Sequence, residues 1–345
     1  MGSFMSRRTL LHLLPGVLIS AICLWYAFRG VDFSAMAGDI AQVGGGWVAV
    51  SILVALSSLV LRGMRWRYLL SEDRIIGYWS LVSATFVGMM ANNLLPARLG
   101  EIVRAWVLAR RERTSTSSVL ASVFIERLAD VVTALLLLGL GLMFSPALGN
   151  GTADLLGRAG MVVLAGVVIL AMGFVLVIYR REQFISAGEA WARKSGRPWV
   201  LRAVEQGRHF LNGLCVLQGR RQWIMVIVLS VLVWSLSIAS FYAMGRGVAL
   251  PLTVVQTILV WVIVLFGVAI PSAPGFVGTF HGFCVAALAL VAGADPTRAA
   301  VYATLLHGSH WLAINGVGLG CLLADRSVSR TGLLAMTRPD VKTAR

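Results

Sequence analysis

The sequence predicts an all-α, polytopic transmembrane bundle, with six full spans and two re-entrant helical hairpins arranged as an inverted pseudo-repeat. Three observations predict it. Of 345 residues, 58% are hydrophobic and 13% charged, and the mean hydropathy is +0.82. Soluble domains are roughly half apolar and a quarter charged, so this surplus needs lipid to cover it. Several runs reach about 20 predominantly apolar residues, enough to cross a hydrocarbon core of ~30 Å. Basic residues are also spread unevenly between the connections, as the positive-inside rule requires of a membrane protein.

The elements follow in order. Full spans are expected near 10–28, 47–69, 117–143, 159–179, 223–244 and 299–323. Arg7 and Arg8 precede the first run and no A-x-A site follows it, so it reads as an uncleaved helix rather than a signal peptide. Regions 78–109 and 253–293 behave differently: each is apolar, breaks at a Pro/Gly cluster and resumes as a second short helix. The breaks contain Pro96-Ala97-Arg98-Leu99-Gly100 and Pro274-Gly275-Phe276-Val277-Gly278, both P-x-x-x-G. Paired broken segments in corresponding halves point to a transporter's central site.

Charge decides whether these regions cross or turn back. If both are re-entrant, 25 of the 30 basic residues fall on one side, in the N-terminus, 62–74, 98–113, 180–222 and the C-terminus. A full crossing at 78–109 would move 180–222 to the other side and weaken the bias. The expectation is therefore N-in and C-in, in a bacterial-type plasma membrane. The chain reads as a single integral membrane domain over 1–345, with 324–345 a cytoplasmic tail. Segment 180–222, nine basic and three acidic residues interleaved with Trp191, Trp199 and Phe210, reads either as helices on the inner leaflet or as an ordinary cytoplasmic loop.

The net charge of +15 would suggest nucleic acid in a soluble chain; positive-inside loops account for it here, and no nucleic-acid partner is expected. Cys23, Cys215, Cys284 and Cys321 have no metal-ligand spacing and read as small hydrophobes. No G-x-x-x-x-G-K-[ST] appears, so ATP is not expected as the direct drive.

Ionised groups at membrane depth are costly and face a cavity or a partner. Arg98, Glu101 and Arg104 lie at i, i+3, i+6 after Pro96, a spacing that lets Glu101 hold both guanidiniums on one helix face. Pro96 suits a first turn, Asn92 or Asn93 a cap, and the helix start a phosphate; Arg offers bidentate phosphate recognition. The alternative is a helix end reaching the cytoplasmic surface, its Arg paired only with Glu101. Glu126, Arg127 and Asp130 must be satisfied inside the membrane, whether they brace the Arg98/Arg104 helix, line a headgroup cavity or only pack helices. Arg62 faces the same cavity or, like Arg65 and Arg67, anchors the second helix at the interface. Gly275 and Gly278 allow close backbone approach, with His281 just behind them. His307 and His310 share a helix face, but no Asp, Glu or Cys joins them at fitting spacing; they read as packing residues rather than metal ligands.

At these residues the chain resembles the lysylphosphatidylglycerol synthase transmembrane, or flippase-like, family. The resemblance rests on Asn93, Leu95, Pro96, Arg98, Gly100, Glu101 and Arg104; on Glu126, Arg127 and Asp130; on Pro271, Pro274, Gly275 and Gly278; and on Arg65-Trp66. It implies inverted halves with facing hairpins, and translocation of an aminoacylated phospholipid or another lipid-linked phosphate. The expectation is a lipid translocase without cofactor or metal, working beside a separate lipid-modifying enzyme. Its alternatives are an intramembrane enzyme acting on polyprenyl-phosphate or glycolipid, and a lipid-binding accessory subunit.

Overall fold

A computed structural model describes residues 7–70, 76–144, 152–197, 199–201, 204–205, 207–208 and 219–325. Cys215, Phe210 and the tail from 326 lie outside these residues. The described secondary structure is entirely helical: α1 (Arg7–Phe28), α2 (Phe33–Ala41), α3 (Gly45–Arg67), α4 (Tyr78–Leu94), α5 (Gly100–Arg111), α6 (Thr116–Met143), α7 (Thr152–Tyr179), α8 (Arg181–Ser195), α9 (Arg220–Gly247), α10 (Val254–Gly267), α11 (Thr279–Ala292) and α12 (Pro296–Ala324), with 3-10 turns at Pro96–Arg98 and Pro274–Phe276.

By length and apolarity alone, three segments among the described residues can cross a membrane: α3, α9 and Pro274–Ala292; a fourth follows if the bent pair α1–α2 is one span. Helix α6 has 28 residues but carries Glu126, Arg127 and Asp130, so its passage through lipid depends on internal partners. Helix α2 was not expected from the apolar pattern. Gly30 at φ 77° lets the chain turn by 81° after α1. Asp32 then caps α2, accepting from Ser34 N at 2.9 Å and Ala35 N at 3.0 Å.

Both broken regions fold as helical hairpins. Gly88 in α4 meets Arg104 and the Gly100 carbonyl in α5, across the break. Gln256 Nε2 near the start of α10 donates to Val291 O near the end of α11 at 3.1 Å, so those legs also run back along one another. Apolar burial gives little drive between helices in lipid, and close packing takes its place. Gly100 is where this matters most in the first hairpin: an added Cβ would collide with the Gly88 carbonyl and with Asn92. Gly278 does the same for the second, at φ 98° with its backbone pressed on Ser20 of α1.

The surrounding helices hold the hairpins from behind. Helix α3 lies along α9 in the most extensive helix contact, while α4 packs on α3 and α12, and α11 on α1 and α12. One apolar core gathers Trp66, Leu81 and Leu108 around the first hairpin. The other gathers Val262, Leu288 and Leu306 around the second, where Tyr302 OH donates to Phe241 O at 2.8 Å. Arg111 of α5 pairs with Asp325 just past α12. Leu18, Trp25, Leu53, Ile227 and Val231 point outward, an apolar surface that lipid covers. Helix α8 ends in Gly196 at φ 63° and exposes Phe184 and Trp191.

Candidate functional site at the meeting of the two breaks

Helices α3, α5 and α6 join through a buried ion network. Glu126, with no exposed surface, accepts from Arg104 Nη2 at 2.6 Å, Arg127 Nη2 at 3.1 Å, Arg65 Nη2 at 3.2 Å and Arg62 Nη1 at 3.4 Å. Asp130, one turn on, accepts from Arg65 at 2.8 Å and Arg62 at 3.0 Å. Arg65 Nη1 reaches Ser230 of α9 at 3.0 Å. The aromatic faces of Trp66 and Trp234 lie against the guanidiniums of Arg104 and Arg62 at 4.6 and 5.0 Å, and Trp66 Nε1 donates to Ser122 Oγ at 2.8 Å. Four guanidiniums meet three carboxylates, counting Glu101, so the network keeps one positive charge in excess.

The expected clamp of Glu101 on Arg98 and Arg104 is corrected by the backbone. Glu101 does pair with Arg104, at 3.1 Å, but its second partner is Arg127 at 3.6 Å. Arg98 is not on the α5 face. It closes the 3-10 turn that Pro96 begins, at φ 55°, which rotates its side chain away from the i, i+3 row. The helix proper starts at Gly100, whose N–H is taken by Asn92 Oδ1 at 2.8 Å. That first helical amide is therefore capped rather than open to a phosphate.

Arg98 instead joins the two hairpins. Its Nη2 donates to Val268 O, just past α10, at 2.5 Å, and its guanidinium lies 5.5 Å from the Phe276 ring centre. Phe276 is itself left-handed, at φ 59°. Each break thus holds a non-glycine residue in a sparsely populated backbone region, at ~1–3 kcal/mol apiece, and those two residues face each other. Asn93 O approaches Gly275, so the breaks meet tip to tip. Arg98 is exposed, with Arg127 and Glu101 as charged neighbours. Arg127 is one-third exposed, whereas Arg62, Arg65 and Arg104 are buried. Arg98 is the guanidinium most open to a ligand among these residues, whereas Arg127 is tied to Glu101, Glu126 and Asp130.

The second break is fastened by neutral groups. His307 Nε2 bonds Gly275 O at 2.9 Å, and Ala273 N donates to Ser20 Oγ at 2.9 Å. Pro274 opens the 3-10 turn, and Pro271 lies exposed in the preceding connection. His281 is buried, its ring edge-on to His307 at 5.0 Å and its Nδ1 without a hydrogen-bond partner. His310 bonds Ser51 Oγ at 3.0 Å, so the two α12 histidines serve different neighbours. No group of three or more His, Cys, Asp or Glu suited to a metal occurs among the described residues. Between the breaks lies a cavity of about 230 Å³ whose wall includes Asn93, Val268, Phe276, Phe280, His307 and Trp311.

The sequence-derived residues Arg62, Glu101, Arg104, Glu126, Arg127 and Asp130 thus form the network; Asn93, Pro96, Arg98, Gly100, Pro274, Gly275 and Gly278 form the meeting tips. Two groups escaped the sequence reading as site members: Arg65, assigned to the interface, and Trp311. The i, i+3 spacing of Arg62 and Arg65 facing an acidic pair was the available signal for the first; Trp311 left none.

The sequence pattern described as "Lysylphosphatidylglycerol synthase TM region" matches residues 13–318. The chain is also similar to a UPF0104 membrane protein of Methanothermobacter thermautotrophicus, 25% identical over 80% of this chain and 84% of that one. A further relative is the glycosyltransferase AglD of Haloferax volcanii, 30% identical over 40% of this chain. The match spans only 22% of AglD. No solved structure matches.

Proposed function

Because this chain belongs to the family of the lysylphosphatidylglycerol synthase transmembrane region, we propose that it moves a lipid with a phosphate-bearing headgroup between membrane leaflets. The observation that carries the reading is the meeting of two broken hairpins at Arg98, an exposed guanidinium bonded across the gap to Val268 O. Irregular backbone at membrane depth is tolerated where it is buried or lines a polar path. The headgroup phosphate replaces the Val268 carbonyl as the Arg98 acceptor, with Arg127 and the excess charge of the network beside it. A charged acceptor makes the stronger hydrogen bond, so the exchange favours ligand entry. Arg62, Arg65 and Arg104 hold the frame, while acyl chains remain in lipid. In this reading six spans and two re-entrant hairpins form one membrane domain with N- and C-termini inside. Hairpin α4–α5 enters from the cytoplasm and α10–α11 from the opposite face. Helix α8 lies on the inner leaflet, and a separate enzyme modifies the lipid.

The test is a leaflet assay in liposomes with fluorescent phosphatidylglycerol. Wild-type protein should accelerate exchange, and Arg98→Ala should remove about nine-tenths of that acceleration or more, in line with a charge-assisted contact, while eluting as a folded protein. Exchange equal to wild type in Arg98→Ala would reject the assignment. The name of AglD supports a second reading, chemistry on a lipid-linked sugar; turnover of such a lipid by the purified chain would favour it.

A further inference from the structure

The cavity between the tips is walled by aromatic faces, chiefly Trp261, Phe276, Phe280 and Trp311. Its polar groups are the Asn93 amide, the His307 and His310 imidazoles and the indole N–H groups of Trp261 and Trp311, and among the described residues no Asp, Glu, Lys or Arg lines it. Asn93 Nδ2 is buried without a hydrogen-bond partner, a donor that gains on meeting an acceptor oxygen. At about 230 Å³, the space is below the ~300–1,000 Å³ of sites that enclose drug-sized ligands. It suits one ring rather than a whole lipid. Arg98 sits at the rim, because Val268 and Phe276, its two contacts, both line the cavity.

Aromatic walls could also favour a cation, but the surrounding charge opposes one. The guanidinium of Arg98 stands at the entrance, and Glu101, Glu126 and Asp130 each already bind arginines. A cationic aminoacyl group would therefore enter beside a like charge and find no free carboxylate. An uncharged hydroxylated ring meets neither obstacle. Its C–H faces pack on the aromatic rings and one of its oxygens accepts from Asn93 Nδ2, while His307 and His310 stay bonded through Nε2 to Gly275 O and Ser51 Oγ.

We infer that this cavity takes a neutral sugar ring joined to the phosphate at Arg98, so that the lipid carried is a glycosyl phosphate lipid. The inference rests on Arg98 as the phosphate contact. Calorimetric titration of the full chain in phosphatidylcholine nanodiscs tests it, with citronellyl phosphoglucose, citronellyl phosphate, glucose 1-phosphate and a short-chain lysyl-phosphatidylglycerol as probes. Citronellyl phosphoglucose should bind about tenfold more tightly than citronellyl phosphate, one decade of affinity, and more tightly than either remaining probe. Asn93→Ala and Trp311→Leu should each erase that preference, bringing citronellyl phosphoglucose down to the affinity of citronellyl phosphate. Equal affinity for the two citronellyl probes, with both weakened by Arg98→Ala, overturns the sugar site and spares the phosphate contact. Tighter binding of the lysyl lipid overturns it in favour of a cation. Glucose 1-phosphate binding as tightly as citronellyl phosphoglucose overturns the lipid assignment. Undiminished citronellyl phosphate binding by Arg98→Ala overturns the phosphate contact itself.

Discussion

The first hairpin carries Arg98, Glu101 and Arg104 around its break, whereas the second has no Asp, Glu, Lys or Arg between Val254 and Ala292. Both double back at a P-x-x-x-G break, both hold a left-handed non-glycine residue there, and both depend on a glycine pressed against another backbone. The shared geometry brings the tips together; the difference in charge divides the work between them. One side presents a cation beside a buried network with surplus positive charge, and the other presents aromatic and imidazole groups to the same gap. A repeated backbone device can thus carry two chemistries, because packing fixes the break and the flanking side chains fix what it meets.

The charged side should be the more fragile. Glu126→Gln leaves four arginines around one remaining interior carboxylate and Glu101, and removing one partner of a buried pair typically costs ~3–5 kcal/mol. A large drop in midpoint should appear in detergent melts followed by size exclusion; an unchanged midpoint would mean that the network is not what holds α3, α5 and α6. Backbone packing should count equally in the two hairpins. Gly100→Ala and Gly278→Ala should each cost ~1–3 kcal/mol by forcing the legs or α1 to move, read in the same melts. A loss confined to one of them would end the geometric equivalence. Arg98→Ala should cost no more than about 1 kcal/mol, the net worth of one exposed bond to Val268 O, since alanine keeps the Cβ and with it the strain at φ 55°; a larger drop would make Arg98 a structural member. The smallest effect is expected remote from both tips. Asp295 caps α12 through Arg298 N at 3.0 Å, and Asp295→Ala should cost ~1 kcal/mol without changing leaflet exchange.

Much of the helix order was readable because apolar run length and Pro/Gly breaks are local signals, and both hairpin interruptions fall where Pro96 and Pro274 stand. Helix α2 was not, because its nine residues are too short to span and it is set by the Asp32 cap rather than by hydropathy. Within the site, the Glu126–Asp130 face was legible from i, i+4 spacing, but its partners Arg62 and Arg65 come from a helix about 60 residues earlier. The error at Arg98 has a local cause: helical periodicity was extended through a position that adopts φ 55°, and nothing in Pro-Ala-Arg-Leu-Gly marks the middle residue as left-handed. The aromatic cavity was illegible for a different reason. Trp261 and Phe276 belong to the second hairpin and Trp311 to α12, so they meet only once that hairpin is folded and packed against α12.

The most direct test of the central claim is an electron cryomicroscopy structure of the full chain in nanodiscs containing the phosphate lipid that it binds. The account predicts a headgroup phosphate between the two breaks, ~2.7–2.9 Å from the Arg98 guanidinium, with the Arg98 bond to Val268 O released. A bound headgroup elsewhere, with Arg98 still on the Val268 carbonyl, would contradict it.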